Sequence, residues 1–219
     1  MSEFYAVPRE PVLFVVTGPS GAGKKTVMDR VRAQDPQLGY SVSATTRAPR
    51  PGEENRREYY FMTSAEFRAA VDADRFIEYA DVHGELYGTL ESEVEKLRAT
   101  GKDVVLELDV QGAAAVRAKY PDGVLIFIVP PRFEVLRERL VSRGSEDHAS
   151  VERRLETARA ELRQIDKFDY VVVNDRLEDA VADVQAIIRA ERCRAHRRNL
   201  NSCKGDTTAC STRSQPNSS

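Results

Sequence analysis

The stretch Gly18-Pro19-Ser20-Gly21-Ala22-Gly23-Lys24-Lys25-Thr26 sits between a short apolar run and an amphipathic segment, and this placement constrains the chain more than any other feature. The run before it, Val12-Leu13-Phe14-Val15-Val16, is continuous and β-branched, as expected of a parallel strand buried on both faces. Thr26 to Arg32 has helical character. Strand, glycine loop and helix in that order build a phosphate-binding loop. With little bulk at Gly18, Gly21 and Gly23 the backbone curls so that successive N–H groups point inward, and the helix adds the positive end of its dipole. Lys24 then reaches the outer phosphates of a nucleotide as a point charge. Glycine-rich turns alone are usually structural; the spacing of Gly18, Gly23 and Lys24 behind such a strand sets this one apart.

One position departs from that pattern. A Ser or Thr should follow Lys24 and hold magnesium through its hydroxyl, yet Lys25 stands there and Thr26 comes one residue late. Three readings stay open: the metal is held through water and by acids elsewhere, Thr26 takes over with a local shift, or metal-dependent activity is impaired.

With 219 residues, 41% of them hydrophobic and 31% charged, the chain can build one sizeable α/β core with a small inserted subdomain. The 33 basic and 35 acidic side chains nearly cancel, so there is no global field of the kind that marks a nucleic-acid binder. Met1 to Glu10 lacks a secretory pattern, and the longest apolar runs are strand-length, far short of a membrane span, so a cytoplasmic protein is expected. Cys193, Cys203 and Cys210 are odd in number and lack metal spacing, and His83, His148 and His196 do not cluster, so incidental thiols and no histidine metal site are expected.

Apolar strand candidates recur near residues 12–17, 104–108, 124–129 and 170–173, separated by helical patterns, and such alternation indicates a mainly parallel sheet with helices on both faces. Helices near 89–99 and 177–188 carry the core stripes Leu90, Val94, Leu97 and Leu177, Val181, Val184, Ile188. Residues 40–88 have a different texture, with short alternating segments such as Glu58-Tyr59-Tyr60-Phe61 and Phe76-Ile77-Glu78-Tyr79, and read as a small β-rich insertion. Thr63 to Glu66 has capping-box spacing and starts a helix inside it. After about Arg192 the chain turns to Arg, Asn, Ser, Thr and Gln with few apolar residues, so a disordered tail is expected, and deletion from residue 196 onward is expected to leave activity intact. Its cations, Arg194, Arg197, Arg198, Lys204 and Arg213, read as solvated.

A second constellation follows the loop: Ser43-Ala44-Thr45-Thr46-Arg47-Ala48-Pro49-Arg50-Pro51-Gly52-Glu53, then Tyr59. Arg47 and Arg50 lie three apart beside a Pro-Gly turn, so two guanidinium forks can converge on one anion and grip phosphate bidentately. Glu53 can hold the arginines in place and Tyr59 can add a hydroxyl donor. Two arginines in a polar loop are by themselves ordinary surface charge; the neighbouring phosphate loop alters their meaning.

Here the chain resembles the guanylate kinase family, through the loop Gly18 to Lys24, Thr45-Thr46-Arg47 with Arg50, Gly52, Glu53 and Tyr59, Phe76-Ile77-Glu78-Tyr79, Tyr87-Gly88-Thr89 and Leu108-Asp109-Val110-Gln111-Gly112. It continues through Arg139, Arg143-Gly144, Arg154 and Val173-Asn174-Asp175, and spans roughly residues 11–192. The resemblance implies an α/β fold: a P-loop NTPase-type parallel sheet flanked by helices, with a β-rich GMP-binding insertion at about 40–90, a helical lid at about 139–160, and the tail 193–219 outside the domain. It also implies phosphoryl transfer from ATP to GMP, and to dGMP because nothing visible monitors the ribose hydroxyl, directly in line and with magnesium. The implied partners are these nucleotides, with no nucleic acid and no membrane; monomer and homo-oligomer are both left open.

By the same resemblance Arg47, Arg50, Tyr59 and Tyr87 hold the GMP phosphate, and Ser43, Glu78, Thr89 and Asp109 surround the guanine. Guanine presents a ring N–H and an exocyclic amine side by side, and a carboxylate such as Glu78 accepts from both, whereas adenine has an acceptor where guanine has that N–H. A site built on such bonds rejects a base that leaves them unmet, by about 10⁴-fold or more. Gly18 to Thr26 and Asn174 fall to the ATP side. Phosphoryl transfer needs charge and alignment more than covalent chemistry, so Lys24 and Arg47, with the lid arginines Arg139, Arg143 and Arg154, are the catalytic candidates. Arg153 and Arg159 read as charged helix surface. Ser145-Glu146-Asp147-His148 is polar and loop-like, suited to a segment that orders when nucleotides bind.

Glu107 and Asp109 end an apolar strand two residues apart and so face one side. By resemblance Glu107 takes the acidic position associated with magnesium, through water, where related sequences often have Asp. Arg56 is another departure, standing where the family usually has Gly before the tyrosine. Gln111-Gly112 is expected to begin the next helix. Two alternatives compete with a GMP kinase: a guanylate-kinase-like interaction module without ATP chemistry, against which the intact Gly18 to Lys24 loop stands, and a kinase for a phosphorylated sugar, which leaves Glu78, Ser43 and Thr89 without a purpose.

Overall fold

A computed structural model of the protein describes residues 9–82, 84–141 and 148–198, apart from the side chains of 148 and 149. In chain order the elements are β1 (Leu13–Thr17), α1 (Lys24–Gln34), β2 (Leu38–Tyr40), β3 (Ala44–Thr45), β4 (Tyr60–Phe61), α2 (Ser64–Asp72), β5 (Phe76–Val82), β6 (Glu85–Leu90) and α3 (Glu91–Ala99). They continue with β7 (Asp103–Glu107), α4 (Val110–Lys119), β8 (Val124–Val129), α5 (Phe133–Val141), α6 (His148–Leu162), β9 (Tyr170–Val173) and α7 (Leu177–Arg192).

The four strands expected from apolar runs are β1, β7, β8 and β9, and with β2 they form a parallel sheet in the order β2-β7-β1-β8-β9. The continuous run of β1 is explained by burial on both faces. Phe14 and Val16 join Val27, Val31, Val184 and Ile188 of α1 and α7, while Leu13 and Val15 join Val94, Ala113 and Val116 of α3 and α4. Among the described residues no helix is long and apolar enough to cross a membrane.

The textured region between β2 and α3 forms its own sheet, β4-β3-β6-β5, around Ala44, Phe67, Phe76 and Leu90. Thr63 and Glu66 form the expected reciprocal cap, with Glu66 N donating to Thr63 Oγ1 at 3.2 Å and Thr63 N donating to Glu66 Oε2 at 2.7 Å. In β5 the pairing steps from Phe76 opposite Leu90 to Glu78 opposite Thr89, so Ile77 is an extra residue in the ladder. That bulge breaks the two-residue alternation. Phe76 packs into the insertion core, Ile77 into the core of the parallel sheet, and Glu78 turns to a cavity between them.

Toward the end of the chain α5 and α6 pack on each other through Leu136, Leu140, Val151 and Leu155. Arg159, expected as plain surface charge, lays its guanidinium 4.7 Å above the Phe133 ring. Arg143 and residues 145–147 lie outside the described residues, as does the tail from 199 onward. The expected tail begins too early, however. After α7, residues 195–197 form a 3₁₀ turn, Glu10 N donates to the Arg197 carbonyl at 2.9 Å, and Arg9 bridges to Arg198. Polar composition hid this segment because its anchor is a buried cation. Arg197 donates to the Asp122 carbonyl at 2.8 Å and pairs with the buried Glu191 at 3.4 Å. Beside it the fully buried Asp103 accepts from Arg9 at 2.5 and 2.8 Å, from Val12 N at 2.7 Å and from Arg192 at 2.6 Å.

Candidate active site

The loop after β1 lies at the carboxyl ends of the parallel strands, where ligands of such sheets bind. Two of its glycines are required by contact. Gly18 has φ +145°, and a Cβ there would stand 2.0 Å from the Ile128 carbonyl oxygen of β8. Gly23 caps α1 with φ +87°, and a Cβ would meet Asn174 Nδ2 at 2.4 Å. Asn174, buried just after β9, donates to the Ala22 carbonyl at 2.8 Å, so it supports the loop from behind. Lys24 opens α1 and donates back to the carbonyls of Gly18 and Pro19. Lys25, next to it, is exposed and pairs with Asp29 at 2.9 Å, and Thr26 is exposed as well.

Arginines of α5 and α6 reach the same loop. Arg154 Nη2 donates to Ser20 Oγ at 2.5 Å, and Arg139 Nη2 donates to the Asn174 carbonyl at 3.3 Å.

The register of β1 against β7 pairs Val16 with Glu107, and Leu108 N donates to the Val16 carbonyl at 3.1 Å. Glu107 therefore stands beside the start of the phosphate loop and also in the wall of a cavity of about 280 Å³. Ser43, Tyr59, Glu78, Tyr87 and Asp109 line that cavity too, as the sequence leads one to expect. Tyr40 and Glu58 line it as well and were not anticipated. Tyr40 ends a strand too short to show a period, and Glu58 gave its signal only as the polar partner of Tyr59 in an alternating run.

Electrostatics differ from wall to wall. Burial raises the Glu78 carboxyl above the ordinary carboxylate range; a 2.6 Å hydrogen bond from the buried Thr89 hydroxyl opposes this and the Asp109 charge adds to it. Burial raises Glu107 likewise, and of the surrounding charges that of Lys25 opposes the rise most. Tyr40 is pushed up to about 12 by burial, with Glu107 adding. Asp109 is the N-cap of α4 and accepts from Gly112 N at 2.8 Å, so it reaches the cavity as a cap, whereas Glu107 does so from a strand end. The helix begins at Val110, one residue before the expected Gln111.

Arg47 and Glu53 are joined, with Arg47 Nη2 within 2.9 and 3.0 Å of the two carboxylate oxygens, and Arg50 N donates to the same carboxylate at 2.7 Å. Arg47 holds Glu53 below the usual carboxylate range. The guanidinium lies 5.3 Å from the Tyr59 ring centre, and Tyr59 meets Tyr87 edge-on at 5.9 Å. Glu53 thus anchors Arg47 and the backbone of Arg50, while the Arg50 side chain stays at the exposed rim. A second cavity of about 440 Å³ lies on the far side of Asp109, bounded by Gln111, Thr157, Glu161 and Gln164. Burial raises the Glu161 carboxyl, a residue the sequence did not single out.

Among the described residues no group of three or more His, Cys, Asp or Glu gathers as a metal cage.

Sheet order, loop and cap contacts define a phosphate-loop α/β protein with an inserted subdomain at the sheet's carboxyl edge. The guanylate kinase family model matches residues 10–191. Guanylate kinase of Thermotoga maritima is 50% identical over 185 residues, 84% of this chain and 89% of its own; that of Clostridium perfringens is 47% identical over 186 residues, 85% and 86%. The crystal structure of guanylate kinase from Anaplasma phagocytophilum superposes with a TM-score of 0.72 at 30% identity, covering 90% of this chain and 94% of that one. The chain belongs to the guanylate kinase family.

Proposed function

We propose that the chain is a guanylate kinase acting in the cytoplasm, transferring the γ-phosphoryl group of ATP to GMP and dGMP to give ADP and the diphosphate. The observation that carries this is the Val16 to Glu107 pairing, which sets the phosphate loop and the insertion cavity at neighbouring strand ends, with Glu107 common to both. Direct in-line transfer needs that adjacency.

On the donor side the N–H groups of residues 18–26 cradle the ATP phosphates, Lys24 neutralises the transferring group, and Asn174 keeps the cradle in shape. Arg154 and Arg139, already in contact with Ser20 and Asn174, supply charge above the loop, and Arg143 is assigned to the same task from its place in the sequence. On the acceptor side Arg47 and Arg50 grip the GMP phosphate with the Tyr59 and Tyr87 hydroxyls. Glu53 keeps Arg47 aimed. Glu78 accepts from the guanine ring N–H and amine, with Ser43, Thr89 and Asp109 around it. A carboxylate whose burial already raises its proton affinity is suited to accept two donors once the base shields it.

The donor set fits magnesium held mainly by phosphate oxygens and water, with Glu107 as an outer carboxylate and Thr26 as a secondary candidate. When bound, the ion neutralises charge on the outer phosphates. An ADP-release assay offering GMP, dGMP, AMP, UMP and ribose phosphates tests the whole assignment. Turnover confined to GMP and dGMP is expected; no turnover with any acceptor would overturn it.

A further inference from the structure

The loop pattern asks for a hydroxyl after Lys24 as a ligand for a divalent cation, and the chain carries an ammonium there instead. Lys25 is the second residue of α1, so the helix start that aims Lys24 also fixes its Cα. Its side chain is 81% exposed and pairs with Asp29 one turn on, at 2.9 Å. Exposed pairs at this spacing contribute little, so the arm can leave Asp29 at small cost. The first turn of α1 holds no acid, and Lys25 is close enough for its charge to act on Glu107 at the neighbouring strand end. A cation in this place cannot ligate a metal, but it can do part of what the metal does.

We propose that Lys25 is a resident counter-charge for the nucleotide's outer phosphates. Released from Asp29, its ammonium takes phosphate oxygens that a divalent cation otherwise covers. The loop therefore binds ATP well without metal and gains less from magnesium than a loop with a hydroxyl at this position. This rests on the assignment of residues 18–26 to ATP, and the test separates the two.

Calorimetric titration of ATP, in EDTA and then in excess magnesium, is made on the full chain, on Lys25→Ser and on Asp29→Asn. Lys25→Ser is expected to weaken metal-free ATP by about 10-fold, the size of one lost charge-assisted contact, and to raise the gain from magnesium by a similar factor. Asp29→Asn removes the competitor and is expected to tighten metal-free ATP a few-fold. Both side chains are exposed, so unchanged melting temperatures verify that the variants fold. Equal metal-free affinity in Lys25→Ser and the unaltered chain would overturn the proposal, as would weaker binding in Asp29→Asn. Failure of the unaltered chain to bind ATP even in magnesium would instead remove the loop assignment itself.

Discussion

Asn174 donates from Nδ2 to the Ala22 carbonyl at 2.8 Å, so the residue that follows the edge strand β9 tethers the phosphate loop. Asn174→Ala leaves that buried carbonyl without its donor, which costs about 1–2 kcal/mol. ATP affinity is expected to fall on the order of 10-fold with GMP affinity unchanged, as measured by calorimetric titration of each nucleotide. Equal losses for both nucleotides would show a general defect.

Glu78→Gln separates function from stability. GMP affinity should drop far more than ATP affinity, because Gln offers one acceptor and one donor where guanine presents two donors. The empty protein should become more stable at neutral pH. In the folded state burial raises the Glu78 carboxyl above its ordinary 4.5, so its favourable contribution is complete below that value and is lost as pH rises through the raised one. Thermal melts should show the variant's advantage shrinking toward zero in acid and widening as pH rises. An advantage that grew in acid would contradict the assignment of burial as the cause.

Arg47→Ala should lower kcat/KM by about 10²- to 10³-fold, the scale of one well-aimed charge. Glu53→Gln should cost less, since it loosens an arginine that remains present. Steady-state kinetics of the two single variants and the double variant should be strongly non-additive, with Glu53→Gln nearly silent once Arg47 is gone. Additive losses would mean that the 2.9 Å pair does not act as a unit.

Truncation after Arg198 should leave the melting temperature where it is, whereas truncation after Arg192 should lower it. The second cut removes Arg197, which satisfies both the Asp122 carbonyl and the buried Glu191. Arg197→Ala alone should cost about 2–3 kcal/mol, or roughly 5–10 °C in a domain of this size. Identical melting curves for the two truncations would exclude this clasp.

Arg56 has φ 71°, a left-handed conformation that favours glycine, and its N–H donates to the Tyr59 carbonyl at 2.8 Å. Arg56→Gly relieves about 1 kcal/mol of backbone strain, partly offset by the freer unfolded chain. A melting temperature unchanged or up to ~4 °C higher is expected; a clear drop would mean that the Arg56 side chain, and not its backbone, supports the turn.

Features written in local periodicity were legible in the sequence. The run at 12–16 announced a strand buried on both faces, and Thr63 with Glu66 announced a helix start. The loop was legible from its glycine spacing behind the strand, whereas Glu78, which lines the cavity, was singled out only through the family resemblance. Tyr40 was not, because a three-residue strand carries no period. The pairing of Asp103 with Arg9 and Arg192 was hidden for another reason: long-range ion pairs leave no trace in neighbouring residues. The same blindness misplaced the start of the tail, where charge density concealed a buried arginine.

The extra residue in β5 ties two mechanical bodies together at one step of the chain. Phe76 is gripped by the insertion and Ile77 by the parallel sheet, so two adjacent residues clamp the two cores to each other, and Glu78, the next residue, faces the cavity from that junction. The carboxylate proposed to read guanine therefore takes its position from both cores at once, and loosening either grip is expected to displace it.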